Sequence, residues 1–314
     1  MLITGSAVLT LGTTANTGSC GNLWFDTSTN RIQYSYFGGA WSAGGALITG
    51  RSRLAGAGTQ NAGLAIGGYS GGACTEEYDG STWSTGGAMI NGRRELAGAG
   101  TQATGLAFGG YYFVACTEEY NGTSWSAGGA LIVSRQYLAG AGTQNAGLAF
   151  GGYGAGFSTV SCTEEYDGSS WTAGGALINS RFGLGGAGTQ NAGLAFGGNG
   201  ANEACTEEYN GTSWSAGGAL INGRFQLAGA GTQNSGLAFG GLNNTLTNTA
   251  GNCTEEYDGS SWTAGGALIT ARFQLAGAGT QNAGLAFGGY CSLPGVVYFA
   301  CTEEYNVGIQ TCTL

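Results

Sequence analysis

One stretch, Arg51 to Trp83 (RSRLAGAGTQNAGLAIGGYSGGACTEEYDGSTW), recurs six times along this 314-residue chain with small changes, and it limits the possible folds more than any other feature. With Arg51, Arg93, Arg135, Arg181, Arg224 and Arg272 as markers, successive copies lie 42, 42, 46, 43 and 48 residues apart. A fixed period of this kind signals units that cannot bury their apolar faces alone and must stack on their neighbours. The period is too long for one turn of a single-strand solenoid and suits a four-stranded sheet.

The unit divides into four strand-like pieces: Leu54 to Thr59, Leu64 to Tyr69, Cys74 to Tyr78, and Trp83 to Ile90. Between the first two, Gln60-Asn61-Ala62-Gly63 supplies residues that tolerate positive φ. After the third comes Asp79-Gly80, and Asp-Gly or Asn-Gly holds this corner in five copies, a strong hairpin signal. No apolar period of 3.6 residues runs for any length, so helices are expected to be scarce.

Here the chain resembles the kelch repeat family. An Arg before the inner strand, a Gly-Gly pair ending the second, a Tyr in the third and a Trp opening the fourth recur together as Arg51, Gly67-Gly68, Tyr78 and Trp83, over about residues 41 to 305. The resemblance implies an all-β fold, a kelch-type β-propeller of four-stranded antiparallel blades, and counting its strands makes it six-bladed. One departure is that Gly and Ala fill strand positions where that family carries larger residues. The taper of a propeller explains the slim inner strand LAGAGT, and the 66 glycines are expected where backbones approach closely.

After Arg51 there are six first, six second and six third strands but only five fourth strands. Trp41 to Ile48 (WSAGGALI) is the missing one, expected to complete the last blade and join the two ends of a domain spanning 41–314. Ile32 to Tyr36 also reads as a third strand and competes with Cys301 to Tyr305 for one place. Residues 1–40 form a separate N-terminal segment with short strands. Its first 20 residues read as mature protein, because no basic residue precedes Arg31 and polar residues interrupt the apolar run. Gly21 to Trp41 is similar to short modules of bacteriophage tail-fibre and other virion proteins, with its Leu-Trp-Phe-Asp-Thr strand, Asn-Arg turn and Tyr-rich return. That likeness implies a virion protein, assembled in the host cytoplasm, whose N-terminal segment docks on other virion proteins.

Nine arginines, 18 carboxylates and no lysine or histidine give a net charge of −9, which argues against nucleic acid as a partner. No apolar run is long enough to span a bilayer. Six cysteines (Cys74, Cys116, Cys162, Cys205, Cys253 and Cys301) occupy one equivalent position per blade, beyond disulfide reach of one another, and read as small buried thiols. A Cys20–Cys312 link stays open. Without histidine or a Cys-x-x-Cys pair no metal or other cofactor is expected. Glu76-Glu77 and its copies sit on opposite faces of a strand and cannot converge on one proton or ion. One Glu of each pair is expected to meet a repeat Arg. Arg51, Arg93, Arg135, Arg181, Arg224 and Arg272 are therefore structural, as are Trp41, Trp83, Trp125, Trp171, Trp214 and Trp262.

No catalytic residues emerge. Kelch-ring copper oxidases need histidine ligands, the Asp79-Gly80-Ser81-Thr82-Trp83 turn is one residue shorter than a sialidase Asp box, and serine or cysteine nucleophiles would lack a base. What varies between copies is the loop after each Gly-Gly pair, together with the residues around each Arg. Both emerge on one rim, where a rigid scaffold carries recognition loops. Candidate binding residues there are Tyr69, Tyr111, Tyr112, Phe113, Phe157, Asn202, Glu203, Asn243, Asn244, Tyr290, Tyr298 and Phe299, whose aromatic rings, amides and carboxylate suit a host-surface glycan or protein. The expectation is a non-enzymatic virion appendage or fibre component for host adhesion. An architectural virion protein whose loops contact neighbouring subunits, homo-oligomeric or not, is the alternative, and a secreted carbohydrate-active enzyme the least favoured.

Overall fold

The computed structural model describes residues 23–26, 28, 31–199, 203–243, 251–291 and 297–313. Asn202, Asn244, Cys20 and the reading of residues 1–20 fall outside them. The chain divides into two compact units, one of residues 40–306 and one combining residues up to 39 with residues 307–314. The repeat unit therefore ends at Asn306, not at the chain's last residue.

Within residues 40–306 the four pieces of each repeat pair in sequence order into an antiparallel sheet. In sheet 1 these are Ala55–Thr59, Ala62–Ile66, Thr75–Tyr78 and Trp83–Thr85, with Ala57 opposite Leu64, Leu64 opposite Glu77, and Tyr78 opposite Trp83. Sheets 2 to 5 repeat the order and begin at Ala97, Ala139, Gly185 and Ala228. Sheet 6 takes Ala276–Gly279, Ala283–Phe287 and Thr302–Thr313, and its fourth place is filled from the far end of the chain by Arg31–Gly44. The first strand of each sheet packs on that of the next, and sheet 6 on sheet 1, so six sheets close a ring. No helix occurs among the described residues.

Close backbone approach accounts for the small residues of the inner strands. A Cβ on Gly56 would stand 2.5 Å from the carbonyl oxygen of Gly277 in the neighbouring sheet. Further out, each sheet interface is filled by one cluster. Ile66, Leu64 and Met89 meet Ala107, Tyr120 and Trp125 between sheets 1 and 2, and equivalent groups repeat around the ring. The core is thus a series of equal wedges, each needing its neighbour.

Two expectations change in detail, and one open place is filled. Fourth strands end after three residues, as at Thr85, because the following Gly-Gly runs against the next sheet. A Cβ on Gly87 would lie 2.0 Å from the Thr123 carbonyl oxygen. The third place in sheet 6 belongs to the strand from Thr302, with Phe287 opposite Thr302 and Gly284 opposite Tyr305. Ile32 instead pairs with Phe25 in the hairpin of Leu23–Asp26 with Arg31–Tyr34. The six repeat cysteines are free thiols, but they are not buried. Cys74 is exposed and the other five are half-exposed, because each sits where the variable loop enters the third strand.

Candidate functional site: the variable rim

The ionisable residues that most resemble catalytic groups are committed to holding the ring. Each repeat Arg is buried and pairs with the first Glu of its own sheet, at 2.9–3.2 Å in five copies and in the Arg93–Glu118 pair as well. The guanidinium also donates to a second-strand carbonyl, Arg51 to Ala65 for example. The same carboxylate accepts the backbone N–H groups of Ile48 and Thr49, pinning the connection from the preceding sheet. Burial pushes the pKa of Arg51, Arg135, Arg181 and Arg224 down, and the adjoining Glu pushes it back up.

The second Glu of each pair accepts a hydrogen bond from the Tyr hydroxyl of the next sheet. Tyr120 donates to Glu77, Tyr166 to Glu119, Tyr209 to Glu165, Tyr257 to Glu208 and Tyr78 to Glu304 at 2.5–2.6 Å, and Tyr305 to Glu256 completes the circuit. Burial first, and this bond second, push the phenols of Tyr78, Tyr166, Tyr209 and Tyr257 up to about 12. Two further circuits run parallel. Each repeat Trp donates its indole N–H to a Thr of the preceding sheet, as Trp125 does to Thr75 and Trp41 to Thr254. Each turn Gln donates to two carbonyls of the preceding sheet, as Gln102 does to Gly63 and Tyr78. On the opposite rim the Asp79, Asp167 and Asp258 carboxylates cap their own turns, and backbone N–H donors hold them at about 2.

The residues that vary lie together at one end. The segment after each Arg pairs with the loop after the Gly-Gly of the same repeat: Ser52 with Tyr69, Gln136 with Tyr153, Phe182 with Asn199, Phe225 with Leu242 and Phe273 with Tyr290. Two places beyond each Arg stands a residue that differs between most copies: Arg53, Glu95, Tyr137, Gly183, Gln226 and Gln274. All six have left-handed backbone, with φ between 52° and 64°. Their main chains form a closed circuit around the ring axis in which each N–H donates to the carbonyl of the previous station at 2.6–2.9 Å, and Arg53 closes it on Gln274. Below them six leucines, Leu54 and its equivalents, floor a cavity of about 80 Å³.

The side chains at this mouth do not repeat. Arg53 donates to Gln274 Oε1 at 2.9 Å and to Glu95 Oε1 at 2.6 Å. Burial, then the Glu95 charge, raise the pKa of Tyr137. Outward from Arg53 two clefts open on either side of Tyr69. One, of about 350 Å³, is lined by Ser52, Arg53, Tyr69, Tyr290 and Tyr298. The other, of about 380 Å³, holds Arg94, Tyr111 and Tyr112. Each has the volume of a small-molecule pocket. The Arg94 guanidinium lies 3.7 Å from the Tyr111 ring centre and 4.9 Å from that of Tyr69, while Tyr112 is 80% exposed.

The expected binding residues separate into groups. Tyr69, Tyr298 and Tyr290 meet in series as tilted rings at 5.3 and 6.1 Å, and Tyr111 and Tyr112 continue the row beyond Arg94. Phe113 and Phe157 lie in a different patch, edge to face at 5.4 Å beside Tyr153. Asn243 is bound into a rim ladder opposite Arg224. Glu203 and Phe299 each give a backbone carbonyl to the N–H of a repeat Arg, Arg224 and Arg51 respectively. The residues missed, Ser52, Arg53, Arg94, Glu95, Tyr137, Gln226 and Gln274, had a signal: they change from copy to copy inside a frame that otherwise stays constant. Among the described residues no three His, Cys, Asp or Glu side chains gather as a metal site, and no helix is long and apolar enough to cross a membrane.

A ring of four-stranded antiparallel sheets, with its variable loops on one rim, defines a β-propeller. No family model matches the chain, and no curated protein matches it. Among solved structures 356 chains match, so the fold is widely shared. One of these, titled "Structure of YjhT", aligns with a TM-score of 0.71 over 85% of this chain and 99% of its own, at 12% sequence identity. At that identity the likeness is one of fold alone.

Proposed function

We propose that the chain is a non-enzymatic recognition component of a bacteriophage particle, a kelch-type propeller that displays the rim clefts to a host-surface glycan or protein while its N-terminal segment joins other virion proteins. The observation that carries the reading is the row Tyr298, Tyr69, Arg94, Tyr111 and Tyr112, which presents neighbouring aromatic rings in open clefts on the rim where the copies diverge. Exposed aromatic rings held by a rigid frame suit adhesion. Twelve of the 18 carboxylates belong to the Glu pairs that hold the ring, which leaves little for acid–base chemistry. The test is adsorption of labelled protein to host cells, with a Tyr69→Ser/Tyr112→Ser variant alongside. Saturable binding reduced about tenfold or more in the still-folded variant supports adhesion; absence of binding to a host that the intact particle adsorbs to overturns it.

One observation favours the architectural reading. Six equivalent isoleucines, Ile48, Ile90, Ile132, Ile178, Ile221 and Ile269, are each 57–62% exposed, one per repeat. An apolar residue kept exposed in every copy suits contact with a neighbouring subunit. Failure of adsorption together with particle disassembly on Ile→Ser substitution would favour that role.

A further inference from the structure

We infer that the ligand of the Tyr69 clefts is an acidic sugar polymer, with a pyranose carboxylate bound at the edge of Arg94; this rests on the adhesion reading and gives it a chemical class. The first argument is charge. Six of the nine arginines are used in the buried Glu pairs and Arg31 stands in the N-terminal hairpin, so Arg53 and Arg94 are the two left on the rim. Both border Tyr69, at 5.9 and 4.9 Å from its ring centre. The carboxylates outside the Glu pairs are Asp26, the turn residues Asp79, Asp167 and Asp258, Glu95 and Glu203. Of these, Glu95 is the one beside the two arginines; it lines the axial cavity, not either cleft, and pairs with Arg53 at 2.6 Å. Arg94 is only 3.7 Å from the same Glu95 oxygen, through an Nε that makes no hydrogen bond. On a chain of net charge −9, two arginines here share one carboxylate, a local excess of one positive charge.

The second argument is orientation. A guanidinium stacked on tyrosine faces keeps its plane fixed and offers its donors edge-on, the approach that suits a carboxylate's two oxygens. The Arg94 guanidinium carbon lies over both rings, 3.7 Å from the centre of Tyr111 and 4.9 Å from that of Tyr69, which favours this arrangement. Tyr112, exposed and in left-handed conformation at φ 67°, presents a flat apolar face beside it. The third argument is repetition. Two clefts of similar volume, about 350 and 380 Å³, share Tyr69 as their common wall, which suits a ligand with like rings on either side. A sugar polymer has that form, and an acidic peptide does not.

The experiment is calorimetric titration of the full chain with host surface polysaccharide, with the same polysaccharide after chemical reduction of its carboxyl groups, and with poly-glutamate. Wild type should bind the native polymer saturably and lose about tenfold or more on carboxyl reduction, the scale of one charge-assisted contact. Arg94→Gln should weaken the native polymer to the same level and leave the reduced one unchanged, since the two losses are one interaction. A melting curve confirms that the variant is folded, and Tyr112→Ser, which keeps the cation, should weaken both polymers alike. Equal binding of native and reduced polymer overturns the acid assignment while adhesion stands. Equal binding of poly-glutamate, or adsorption to host cells with no polysaccharide binding, replaces the sugar with a protein partner. No binding and no adsorption removes both readings.

Discussion

The buried Arg–Glu pair is the residue that each repeat can least do without. Glu164 satisfies Arg135 and also accepts the N–H groups of Ile132 and Val133, so its removal leaves a guanidinium and two amides stranded. Glu164→Ala should cost about 3–5 kcal/mol by urea unfolding. A loss under 1 kcal/mol would mean that water or a rearranged loop replaces the carboxylate. This pairing was legible in the sequence because Arg and Glu recur in fixed register. The role of the second Glu was not, since its partner is a Tyr from another repeat, 43 residues away for Glu77 and Tyr120, and spacing says nothing of which faces meet. The cysteines were misread for a related reason. A small residue repeated next to a strand looks like core, yet Cys74 and its equivalents stand just before the third strand, at the end of the variable loop.

At the scale of the element, strands are joined across sheets by side chains that titrate together. The phenols of Tyr78, Tyr166, Tyr209 and Tyr257 are pushed up to about 12 from an ordinary value of 10.0, so the fold favours their neutral, donating form. Their contribution is whole below about pH 10 and is lost as pH rises towards 12. Circular dichroism and phenolate absorbance followed together should therefore show sheet structure falling in that window as these tyrosines ionise. Ionisation near pH 10 with the sheets unchanged would contradict the bonding to Glu. The hairpins and the strand order could be read from the turn residues, and the shortness of the fourth strand could not, because it is set by Thr123 of the next repeat against Gly87.

For the whole molecule, closure distinguishes this ring from an open stack of repeats. Trp41 packs on Phe239 and Tyr305 at 5.0 Å each and donates to Thr254, so one residue near the N-terminus touches two of the last sheets. Trp41→Ala should destabilise the entire ring by about 3–5 kcal/mol in a single unfolding transition. Two separated transitions would show that the first repeats stand without closure. The ring and the strand that closes it followed from counting strands, whereas the axis was hidden. The residues around each Arg read as variable rim positions, and only the fold brings Arg53, Glu95, Tyr137, Gly183, Gln226 and Gln274 to one mouth.

That mouth is closed by a main-chain circuit, each N–H answering the previous carbonyl in one direction around the axis, to which Arg53 adds side-chain bonds to Gln274 and Glu95. The main-chain circuit does not depend on which side chains hang on it, and it runs through Gly183 as it does through Arg53. Left-handed backbone disfavours every residue but glycine by about 1 kcal/mol or more, so five non-glycine stations are a standing sacrifice of stability. The circuit behaves as a fixed keyboard with six separately replaceable keys. A lineage could change what the axial mouth presents one substitution at a time, without renegotiating the frame.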